Sequence, residues 1–68
     1  MREIQTFFKE EEDGRARAVI SEADNGWLIN YYDTRGSLIS SETHVGKSLQ
    51  YAEDAAENWA LGIKVLNG

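Results

Sequence analysis

Arg15-Ala16-Arg17-Ala18-Val19-Ile20-Ser21-Glu22-Ala23-Asp24-Asn25-Gly26-Trp27-Leu28-Ile29-Asn30-Tyr31-Tyr32-Asp33 is the stretch on which the fold turns. Its first part alternates, with Ala16, Ala18 and Ile20 on one parity and Arg15, Arg17, Val19 and Ser21 on the other. That is the pattern of a strand over 15–22 in a sheet covered on one side. Asp24-Asn25-Gly26 reads as a tight hairpin turn, because Asn-Gly tolerates positive backbone φ. The segment after it, 27–33, is rich in β-favouring aromatics and apolar on both parities. Trp27, Ile29 and Tyr31 fall on one face and Leu28 and Tyr32 on the other, which predicts a central strand.

Reading outward, residues 2–9 form a first strand with Ile4, Thr6 and Phe8 on one face, closed by the acidic run Glu10-Glu11-Glu12-Asp13 and an Asp-Gly hairpin signal at Gly14. Asp33-Thr34-Arg35-Gly36 turns into a fourth strand over 37–43, with Leu38 and Ile39 on opposite faces. Gly14, Gly26, Gly36 and Gly46 recur at the spacing of short antiparallel strands in a meander. From Leu49 the period changes: Leu49, Ala52, Ala56, Trp59, Ile63 and Leu66 make a helical apolar stripe. Ser48 is its expected N-cap, and Glu53, Asp54, Glu57 and Lys64 are placed to complement the helix dipole at both ends. Gly62 interrupts the stripe at a cost of about 1 kcal/mol; since Ile63 and Leu66 keep the period, the helix is expected to run to about Leu66. The expected architecture is one α+β domain over 1–68, a four-stranded antiparallel β-meander followed by one C-terminal helix packed on one face, in two layers.

The chain has 68 residues, no Cys and no Pro, and a formal charge of -5. Without Cys there are neither disulfides nor thiolate metal sites. So small a domain buries only roughly 60% of its unfolded surface, which leaves association of subunits as the available extra support. Apolar runs never exceed three residues, as at 18–20, 27–29 and 59–61, far below the ~20 that cross a bilayer. No signal-like apolar segment opens the chain, so a cytoplasmic location is expected. Both halves are acidic, which argues against nonspecific binding to nucleic acid or anionic membrane.

Tyr51-Ala52-Glu53-Asp54-Ala55-Ala56-Glu57-Asn58-Trp59-Ala60-Leu61-Gly62-Ile63 resembles the C-terminal helix of short uncharacterised proteins of tailed cyanophages and marine environmental sequence. The resemblance implies a viral origin and a cytoplasmic setting in an infected bacterium. It implies no activity and carries over no site residues.

Several local patterns invite a chemical reading. Ser41-Glu42-Thr43-His44-Val45-Gly46-Lys47-Ser48 ends like a phosphate-binding loop, but Ser41 stands where that motif needs Gly and no second acidic strand follows to hold Mg²⁺. It reads as a loop leading into a helix cap. His44 is the single imidazole, with Glu42 as a neighbour on the same strand face if pairing extends that far. One His makes no His-pair metal site, and triad chemistry needs an oxyanion hole and a cleft besides. The run Glu10–Asp13 reads as a solvated hairpin tip and Glu53 with Glu57 as a solvated helix face. Glu22-Ala23-Asp24-Asn25-Gly26 has its Gly one place too early for a calcium-binding EF-hand loop. No catalytic, cofactor-binding or metal-ligating residue is assigned, and no cofactor or small-molecule substrate is expected.

The feature that carries a functional expectation is apolar character on both sheet faces. Phe7 and Phe8, Leu28 and Ile29, Tyr31 and Tyr32, and Leu38 and Ile39 each place a large side chain on either side, and one helix covers only one face. With Trp27, Ile29 and Tyr31 turned to the helix, Leu28, Tyr32 and one of Phe7 and Phe8 are expected at a two-fold interface. The expected function is a non-enzymatic binding module that forms a homodimer and engages another protein, which the resemblance implies is one of the host. The alternative is a nucleic-acid-associated protein, with Arg15 and Arg17 meeting phosphates and Tyr31 or Tyr32 stacking bases.

Overall fold

The computed structural model describes residues 2–66. Four strands, β1 (Arg2–Glu11), β2 (Gly14–Ala23), β3 (Gly26–Tyr32) and β4 (Leu38–Val45), precede one helix, α1 (Leu49–Ala60). The strands form one antiparallel sheet in the order β1-β2-β3-β4, a meander, and α1 packs over β1, β2 and β3. The α+β, two-layer reading of the sequence is the architecture observed.

The hairpin loops lie one residue earlier than the glycines suggested. They are Glu12-Asp13 and Asp24-Asn25, with Gly14 and Gly26 opening the next strand. Neither Asp24 nor Asn25 takes a positive φ, so the Asn-Gly pair does not act through the backbone freedom expected of it. Gly26 answers a different need. It faces Val45 in the β3–β4 ladder, and a Cβ at this position would run into the His44 carbonyl and the Val45 Cα.

The helix stops at Ala60 instead of continuing to Leu66. Gly62, at φ +81, receives the chain in a left-handed turn while its N–H donates to the Trp59 carbonyl at 3.0 Å and the Ile63 N–H to Asn58 at 2.8 Å. This is a Schellman closure, in which glycine satisfies carbonyls that the end of a helix leaves open. Ile63 is consequently 71% exposed, whereas Leu66 reaches the core from outside the helix. The dipole expectation fails with it: the first turn holds no acidic residue and the last no basic one. Ser48 is the N-cap as read, its hydroxyl accepting the Tyr51 N–H at 3.2 Å.

Under the helix, Ala16, Ala18, Ile20, Ile29 and Tyr31 meet Ala52, Ala56 and Trp59. Alanines on both layers let helix and sheet approach closely, and two aromatic rings fill the remaining space. Tyr31 and Trp59 pack edge to face with centroids 5.0 Å apart, an arrangement favoured by the ring quadrupoles.

A candidate docking face and a polar cluster beneath the helix

On the face without a helix, register sets side chains in rows. Phe8, Arg17, Tyr32 and Leu38 lie across the four strands, and Ser21, Leu28 and Thr43 form a parallel row. Between them Ser41 Oγ donates to Asn30 Oδ1 at 2.6 Å. Val19 and Ser21 are buried even though no helix covers them, because they lie on inner strand β2 among larger neighbours. Phe8 and Leu38 are more than half exposed, while Leu28 and Tyr32 are half-buried. Of the two phenylalanines, Phe8 belongs to this face and Phe7 packs against the core under the helix. Leu38 is the apolar member of this face that alternation alone did not single out. The β-bulge between Tyr31 and Tyr32, which sets Leu38 against Tyr32, puts it there.

Both arginines also lie on this face, each over an aromatic ring: Arg17 is 4.4 Å from the Tyr32 centroid and Arg15 5.7 Å from that of Phe8. Arg15 is neutralised by Glu10 at 2.8 Å. Arg17 has no carboxylate partner among the described residues. Tyr31, the other tyrosine considered for stacking, points the opposite way into the core.

Beneath the helix side of the sheet lies a polar cluster. Glu42 and His44 share a face of β4, which extends to Val45, past the Thr43 end read from sequence. Glu42 Oε1 accepts a hydrogen bond from the Tyr31 hydroxyl at 2.8 Å, and Lys64 Nζ, just beyond the helix, sits 2.8 Å from each carboxylate oxygen. Burial alone would raise the Glu42 pKa, but Lys64, the Tyr31 hydroxyl and His44 outweigh it and hold the carboxyl below its ordinary value. Burial, reinforced by the Glu42 contact, drives the Tyr31 hydroxyl far above the usual tyrosine range. His44 Nε2 lies 3.4 Å from Glu42 Oε1, buried and without a hydrogen bond among the described residues, and its ring packs edge to face on Tyr51 at 5.2 Å. Sequence placed Glu42 and His44 together; it could not show that Tyr31 and Lys64 complete the cluster from 11 and 22 residues away.

Next to this cluster opens a cleft of about 380 Å³, lined by Trp59, Ile39 and Lys9 and walled on one side by Lys64, Val65 and Leu66. Lys9 Nζ lies over the Trp59 ring at 5.4 Å. Asp13 and Asp33 stand on the cleft rim and are engaged in tying turns: Asp13 accepts from Thr34 Oγ1, and Asp33 accepts the N–H groups of Arg35 and Ser37, all at 2.9 Å. The Ser37 N–H foremost, helped by the Arg35 and Gly36 N–H groups and the Arg35 charge, holds the Asp33 carboxyl below its ordinary pKa against the opposing effect of burial.

The remaining sequence patterns resolve into structure. Residues 41–45, the start of the phosphate-loop look-alike, are strand; the Lys47 carbonyl accepts the Trp27 indole N–H at 3.0 Å and its ammonium lies over Tyr51. Glu10 and Glu11 belong to β1 and not to a hairpin tip, with Glu11 3.7 Å from Lys9. Among the described residues no group of His, Asp and Glu is arranged to hold a metal ion, and no helix is long and apolar enough to cross a membrane. No family model, curated protein or solved structure matches this chain.

Proposed function

We propose that this protein is a non-enzymatic binding module whose open sheet face joins a second copy of the chain. The observation that carries the reading is the row Phe8, Arg17, Tyr32 and Leu38, beside Leu28, on a face that no element among the described residues covers. A chain with one thin core and no disulfide gains most from burying such a face. A standard interface takes roughly 800 Å² per partner, under a fifth of the 4489 Å² this chain exposes. Arg17, stacked on Tyr32 without a carboxylate partner among the described residues, and Tyr32, with a ring to bury and a hydroxyl for the rim, suit an interface in which aromatics and arginine dominate. The resemblance of the helix segment directs the search for a further partner to a host protein in a cytoplasmic setting.

In sedimentation equilibrium at micromolar concentration the protein is expected near twice 7.7 kDa, and Leu28→Asp, which charges the open face without touching the core, is expected to run as a folded monomer. A wild type that stays monomeric at high micromolar concentration overturns the dimer. The stacked Arg17–Tyr32 pair also favours a second reading, single-stranded nucleic acid on the same face. That reading requires an affinity that falls steeply with salt and disappears on Arg15→Glu with Arg17→Glu.

A further inference from the structure

We infer that His44, Glu42 and Lys64 form a proton-operated latch that holds the segment 64–66 against the domain at neutral pH and releases it in mild acid. The inference is independent of the open face, which lies on the other side of the sheet. One carboxylate here serves two cationic groups. Lys64 Nζ sits 2.8 Å from both Glu42 oxygens, and His44 Nε2 is buried 3.4 Å from Oε1 with no hydrogen bond of its own among the described residues. With a neutral imidazole the charges of Glu42 and Lys64 balance. When the ring takes a proton, the part-buried cluster carries an excess positive charge, and His44 competes with Lys64 for Oε1, which already accepts from Lys64 and the Tyr31 hydroxyl.

The two cations are anchored unequally. His44 is part of β4, paired with Trp27 in the β3–β4 ladder, and its ring is packed on Tyr51. Lys64 lies outside the helix, on a segment whose apolar anchor is Leu66. Lys64 is therefore the group that moves. The charged and titratable groups around His44 are Glu42 on its own strand, Tyr51 from α1, Lys64 across Glu42, and Lys47 over the Tyr51 ring at 5.1 Å. Glu42, held below the ordinary carboxylate range, stays ionised in mild acid. Histidine is the side chain whose charge changes between about pH 5 and 8. Because Lys64, Val65 and Leu66 wall the cleft beside Trp59, release of the latch opens that cleft.

The test is NMR of the full chain at about pH 7.5 and 5.5, bracketing the histidine range. Two readouts follow the segment: the Leu66 methyl shifts, set by packing on the core, and the protection factor of the Lys64 amide, which donates to Asn58 at 3.1 Å. After correction for intrinsic exchange, acid should lower that protection about tenfold, the loss of one charge-assisted contact, and move the Leu66 methyls toward random-coil values. His44→Gln should abolish both changes, and Glu42→Gln should give the released state at both pH values. A wild type unchanged by acid, a His44→Gln protein that responds as the wild type does, or a Glu42→Gln protein whose segment stays docked at neutral pH would each overturn the latch.

Discussion

Trp59→Ala is expected to leave the domain largely unfolded. Trp59 is 3% exposed, sits at the centre of the helix–sheet contact and meets Tyr31 edge to face. Truncating a buried Trp removes its transfer free energy and leaves a cavity, together about 3–5 kcal/mol. A core in a chain of this size rarely supplies more than about 3–5 kcal/mol of net stability, so the loss is comparable to the whole. Far-UV circular dichroism during urea titration is the suitable measurement, because the substitution also deletes one of the two indole fluorophores. Glu57→Ala, on the exposed side of the same helix, is expected to cost under ~0.5 kcal/mol. Equal effects would show that the helix presents a different face to the sheet.

Gly26→Ala is expected to be the most damaging substitution by a single methyl group. The added carbon has no flexible side chain to push aside; it meets the backbone of His44 and Val45, so β3 and β4 must part at this end of their ladder. Overpacking of this kind costs about 1–3 kcal/mol, which in a domain of this size lowers the Tm by roughly 4–8 °C per kcal/mol. Gly36→Ala is the informative comparison. It meets no atom within 4 Å but sits at φ +87, so its penalty is backbone strain alone, about 1–2 kcal/mol. Thermal melts followed by circular dichroism should place Gly26→Ala below Gly36→Ala, with the amides of residues 42–45 losing exchange protection only in Gly26→Ala. Unchanged protection there would mean that the two strands can separate at no cost.

What was legible in the sequence was local and periodic. Period-two alternation in 15–22 and 27–33 placed Ala16, Ala18, Ile20, Ile29 and Tyr31 on the face that α1 covers, and the stripe of Ala52, Ala56 and Trp59 supplied the matching face of the helix. Ser48 was readable as a cap because its role needs only the N–H three residues on. Gly62 shows one local signal overruling another: Ile63 and Leu66 continued the apolar period, yet a left-handed glycine ends the helix, and Leu66 returns to the core by another path.

The sequence by itself determined the order of elements, the antiparallel meander and the side of each inner strand that meets the helix. These follow from backbone periodicity and from turn residues within a few positions of one another. Only the tertiary structure decided which of Phe7 and Phe8 is exposed, because the bulge between Glu3 and Gln5 and the pairing of Phe7 with Ala18 settle the parity of β1. It alone decided why position 26 is glycine, since the approaching carbonyl belongs to His44 on another strand. It alone brought Tyr31, Glu42, His44 and Lys64 to one carboxylate, from β3, β4 and the segment after α1. Such contacts depend on how twisted strands and a helix close on each other, and no periodicity within a segment encodes the distance between groups on separate segments.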